Sequence, residues 1–76
     1  MAMISQKVER QVVLLDENMS AREAAELMVE KHIGSVVVSR ASQVIGLFTE
    51  RDLTNHIIRG RRDPDKVKIK DVMRTM

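Results

Sequence analysis

One corner of the chain restricts its fold more than any other stretch. The apolar run Val44-Ile45-Gly46-Leu47-Phe48 ends on the hydroxyl of Thr49. The carboxylate of Asp52 follows three residues later, where a helix is expected to start. Thr49-x-x-Asp52 is an acceptable N-terminal cap, the Thr oxygen taking the N3 amide and the acid reaching back. A strand feeding such a helix end also gathers free backbone N–H groups, a hydroxyl and a carboxylate at one spot. Those N–H groups and the positive end of the helix dipole suit a phosphate, and a carboxylate one turn in can accept from a ribose diol. Capping and ligand contact are not exclusive, so the pattern alone leaves both readings open.

The size of the chain limits what can surround that corner. Its 76 residues make one small domain, and a chain this short buries only about 60% of its unfolded surface. With no Cys, neither a disulfide nor a thiolate metal site can brace it. Self-association is therefore expected as a source of stability. Apolar residues at 43% against charged residues at 32% indicate a globular rather than a disordered chain. No apolar run approaches the ~18 residues of a membrane span, and the stretch from Met1 to Lys7 lacks a signal-peptide core. The expected address is the cytoplasm.

Punctuation along the chain gives the order of elements. Val12-Val13-Leu14-Leu15 reads as a strand broken by Asp16-Glu17-Asn18. Ser20-Ala21-Arg22-Glu23 is a capping box opening a helix of good formers, with Ala21, Ala24, Ala25, Met28 and His32 as its apolar stripe. Gly34 is placed to terminate it. Ser35-Val36-Val37-Val38-Ser39 is a buried strand, joined through Arg40-Ala41-Ser42-Gln43 to its partner at residues 44–48. The turn lacks Asn-Gly or Asp-Gly, so its type is open. A second helix over residues 50–59 should bury Leu53, Ile57 and Ile58, with Gly60 as its C-terminal cap. Asp63-Pro64-Asp65 is a turn, and Val67 and Ile69 alternate with lysines as a short closing strand.

In this order the chain resembles the cystathionine-β-synthase-type (CBS) domain. The likeness rests on Glu23-Ala24-Ala25 with Met28, on Ile33-Gly34-Ser35-Val36-Val37-Val38, and on Gly46-Leu47-Phe48-Thr49-x-x-Asp52-Leu53. Gly60 and Val67-x-Ile69-x-Asp71-Val72-Met73 complete it. The resemblance implies an α/β (α+β) β-α-β-β-α fold: a small three-stranded sheet with two helices on one face, core at about residues 12–70, and no catalytic activity. It implies tandem copies that pack through their sheets and bind AMP, ADP or ATP in the clefts between them, with S-adenosylmethionine as a ligand in some relatives. Thr49 would meet phosphate, Asp52 the ribose hydroxyls, and Val12, Val13, Ile33, Gly34 and Val36 the adenine. Arg51, or a basic residue among Arg59, Arg61 and Arg62, would neutralise phosphate charge. The chain carries one copy, and residues 71–76 look like the lead-in to a second. Either the chain is a piece of a tandem pair, or a homodimer rebuilds the paired module.

Other chemistries find less support. His32 and His56 are the only imidazoles, too few for a zinc site, and no Ser/His/acid set is evident, so no enzyme is expected. His32 reads as the end of the first helix, set against its dipole, and the methionines as adaptable packing. A dimerisation module with an empty pocket is one alternative. Nucleic-acid binding through Arg59, Arg61, Arg62, Lys66, Lys68 and Lys70 is another, but a net charge of +2 and one aromatic residue, Phe48, weigh against it.

Overall fold

The structure, a computed structural model, describes residues 12–76; the stretch from Met1 read for a signal sequence lies outside them. Four strands form one sheet in the order β1 (Leu14–Asp16), β2 (Ser35–Arg40), β3 (Gln43–Thr49), β4 (Arg74–Thr75). The β1–β2 pair is parallel, because helix α1 (Ala21–Lys31) crosses over between them, and the other two pairs are antiparallel. The three-stranded expectation is thus corrected to four. The extra strand comes from the segment read as a lead-in to a second copy, which folds back onto β3.

Alternation along the strands sorts the side chains. Leu15, Val36, Val38 and Phe48 point to one side and join Ala21, Ala24, Met28, Ile57, Val67, Ile69 and Val72 in a single buried cluster. Small alanines at the contact let α1 lie close to the sheet. On the other side of the sheet, Leu14, Val37 and Leu47 stand in register and are only partly covered.

Both capping boxes form. At α1, Glu23 N–H donates to Ser20 Oγ at 3.0 Å and Ser20 N–H donates to Glu23 Oε1 at 3.2 Å. The helix ends on His32, whose left-handed backbone (φ 56°) lets its N–H reach the Met28 and Val29 carbonyls. His32 therefore does the capping assigned to Gly34, and its exposed ring ends the apolar stripe at Met28. The β2–β3 turn has Ala41 and Ser42 both left-handed (φ 51° and 70°), the pairing of a type I′ hairpin that suits strand twist.

The second helix departs further from expectation. A single α-turn, α2 (Glu50–Asp52), runs directly into a π-helical segment, Leu53–Ile58. The Thr54 hydroxyl takes the Glu50 carbonyl at 3.0 Å, the acceptor that an α-helix reserves for the Thr54 N–H. Bonds then reach five residues back, as from Arg59 N–H to Thr54 O at 2.9 Å, and the turn widens. Ile57 enters the core, Leu53 is half-buried, and Ile58 is left outside. Gly60 is not the left-handed cap; Arg61 is (φ 56°). What Gly60 supplies is clearance, since a Cβ there would lie 2.4 Å from the His56 carbonyl oxygen.

The closing strand expected at residues 67–69 is also corrected. Val67 and Ile69 are buried between exposed lysines, as the alternation required. They lie under α1 rather than in the sheet: Lys68 bridges Ser20, Ala21 N–H donates to Val67 O, and Ile69–Asp71 coils into a 3₁₀ turn.

Candidate functional site

The parallel start of β1, the start of β2 and the end of β3 share one end of the sheet. Ser35 is opposite Thr49, and Glu50 N–H donates to Gly34 O at 3.0 Å, so the α1–β2 loop lies against the start of α2. Val12 and Val13 lead into β1 at the same end; Val12 is exposed and the Val13 carbonyl accepts from Val37 N–H. A Cβ on Gly34 would make ordinary contact with the Glu50 carboxylate, so glycine is not sterically demanded there. Ile33 packs partly onto the core.

At the corner itself, Thr49 has extended backbone and its Oγ accepts from Asp52 N–H at 3.2 Å. Asp52 Oδ2 accepts from both Thr49 N–H (2.9 Å) and Thr49 Oγ–H (3.0 Å). Asp52 Oδ1 accepts from Arg74 Nε at 3.4 Å. The residue is only 3% exposed, an almost fully buried carboxylate held by three donors. Burial of a charge is tolerable only with such partners. Arg74 is the member that the sequence did not mark. It reaches the corner because β4 pairs it with Leu47 on β3.

The remaining expected residues divide. Arg51 is exposed and lines a shallow polar hollow with Glu50, Thr54 and Asn55, beside rather than inside the Thr49–Asp52 corner. Val36 is 1% exposed and paired to Phe48, so its side chain is taken up by the core and offers no surface to an adenine ring. A larger cavity of about 480 Å³ lies away from the corner, an apolar groove between α1 and the π-helical segment lined by Ala25, Val29, Leu53, Ile57 and Ile58.

Ion pairs fix the opposite end. Arg40 grips Glu17 with two bonds, 3.0 and 2.9 Å, joining the end of β1 to the hairpin and holding the Glu17 carboxyl below its ordinary range. Arg22 pairs with Asp65 and anchors the start of α1 to the Pro64 turn. Among the described residues, no three His, Asp or Glu side chains are grouped to hold a metal ion. None of the described helices is long and apolar enough to cross a membrane.

This architecture, a mixed sheet with its core on one side and a reciprocally capped strand-to-helix corner, defines a small α/β module. Residues 4–59 match the family described as the CBS domain, and the chain belongs to that family. An uncharacterised protein of Methanopyrus kandleri is 35% identical over 71 residues, which cover 92% of this chain and 36% of that one. A putative signal-transduction protein with CBS domains from Burkholderia ambifaria superposes with TM-score 0.83 at 25% identity, covering 88% of this chain and 49% of that one. A CBS domain protein of Pyrobaculum aerophilum, solved in complex with AMP, superposes with TM-score 0.78 at 21% identity, covering 90% and 53%. The chain thus spans about a third of the curated relative and about half of each of these two structures.

Proposed function

We propose that this CBS domain is a non-catalytic regulatory module that binds an adenosine nucleotide, AMP, ADP or ATP, at the Thr49–Asp52 corner in a cleft completed by a second CBS domain. The observation that carries the reading is the buried Asp52 carboxylate, fixed by Thr49 at the end of the sheet where Val12, Val13 and Gly34 also lie. The AMP complex of the Pyrobaculum protein supports the ligand class. The half-covered row Leu14, Val37 and Leu47 supports pairing through the sheet, and a homodimer would supply the second domain. The Thr49 hydroxyl donates to a phosphate oxygen when it turns from Asp52 Oδ2, Asp52 accepts from the ribose, and Arg51 or a neighbouring Arg neutralises charge, so adenosine binds less well than its phosphates.

Calorimetry against AMP, ADP, ATP and S-adenosylmethionine, with sedimentation on the same samples, tests this. Binding to the dimer, with a rise in melting temperature through linkage, is the expected result. A chain that dimerises but gives neither heat nor a melting shift at saturating nucleotide is instead an association module whose Thr49 and Asp52 serve only as the cap.

A further inference from the structure

Asp52 has two oxygens with different duties. Oδ2 is committed to the cap, taking both donors of Thr49. Among the described residues, Oδ1 is held by Arg74 Nε alone, at 3.4 Å. An ionised carboxylate offers about four lone-pair sites over its two oxygens. A ribose diol reaching this residue must therefore come to Oδ1, where Arg74 now lies. The Arg74 side chain is 56% exposed while that of Asp52 is 5% exposed, so the guanidinium covers the acid from the solvent side. Releasing it to water is easy, because a single long bond from a half-exposed Arg contributes little. Its position is nevertheless built in. A Cβ on Gly46 would lie 2.7 Å from the Arg74 carbonyl oxygen and 2.6 Å from Met73 Sδ, so only glycine lets β4 come close enough to place Arg74 over the corner.

We propose that Arg74 is a specificity-determining residue of the nucleotide site, competing with the ligand's diol for Asp52 Oδ1. The proposal rests on the nucleotide reading above. A diol that donates both hydroxyls to Oδ1 fills both of its lone-pair sites and excludes the Arg74–Asp52 pair, and a ligand without adjacent hydroxyls leaves the pair intact. Arg74 accordingly lowers the advantage of a ribonucleotide over its dideoxy counterpart. It also ties the site to the side-chain anchor of β4.

The test is the ratio of affinities for AMP and 2′,3′-dideoxy-AMP, measured by calorimetry on the 76-residue chain and on Arg74→Met. The preference for AMP should rise roughly two- to five-fold in the variant, the range of a half-exposed ion pair. Any attraction of Arg74 for phosphate cancels in the ratio. An unchanged ratio with equal losses for both ligands makes Arg74 a phosphate contact and overturns the proposal; a reduced ratio makes it a partner of the diol and does the same. On the unaltered protein, the Arg74 Nε–H resonance should move when AMP is added and stay when the dideoxy compound is added. AMP binding to neither protein defeats the nucleotide reading itself, a result distinct from AMP binding without a gain in Arg74→Met.

Discussion

The two helix starts carry the same local pattern and put it to different use. Ser20-x-x-Glu23 and Thr49-x-x-Asp52 both close reciprocal capping boxes. At the first, the box is exposed, Glu23 holds one donor, and a regular α-helix of 11 residues follows. At the second, the acid is buried under three donors, and the α-helix yields to a π-turn after three residues. The α1 box has little left to explain once capping is counted. The α2 box places a charge where a charge is costly, and its last partner arrives from a strand 22 residues away. Environment, rather than the motif, separates the two boxes.

Substitution can break that contrast. Asp52→Ala strips partners from the Thr49 N–H and hydroxyl and from Arg74, and should destabilise by about 2–3 kcal/mol in urea titrations. Glu23→Ala should cost about 0.5 kcal/mol. Equal losses at the two positions would mean that burial of Asp52 does not distinguish them. Gly46→Ala forces β4 off β3 and should cost about 2 kcal/mol as overpacking. Hydrogen exchange should locate the change at the Met76 amide, which otherwise bonds to Ile45 O at 3.1 Å.

Thr49→Ala and Ser20→Ala should each lose ~1 kcal/mol of capping, but only Thr49→Ala should weaken the nucleotide-induced melting shift beyond that loss. The smallest effect concerns pH. Arg40 lowers the folded-state pKa of Glu17 below its ordinary 4.5, so this pair stabilises the fold above that pH and loses its effect as pH falls through the folded value. Arg40→Met should flatten the acid limb of the stability profile while leaving neutral-pH ligand binding unchanged, measured by melting across pH 3–7.

What the sequence made legible was local. Ser20/Glu23 and Thr49/Asp52 are bonded across three residues, and two apolar runs flank a short polar connection, so the boxes and the hairpin follow from spacing. What it hid was either non-local or a contest between near-equal local options. Arg74 meets Asp52 only through β-pairing, and no pattern near Arg74 announces it. His32 rather than Gly34, and Arg61 rather than Gly60, took the left-handed positions because glycine is favoured there, not required. The place of Val36 in the family motif points it toward the ligand, yet strand parity turns it into the core beside Phe48. The π-turn coincides with a bond from the Thr54 hydroxyl to the Glu50 carbonyl, which no pattern in the sequence announces.

Phe48, sealed at 0% exposure, is the single benzene ring in a chain without Trp or Tyr. Such a protein is almost colourless in the near ultraviolet, so an adenine retained through purification would dominate its absorbance spectrum without label or dye.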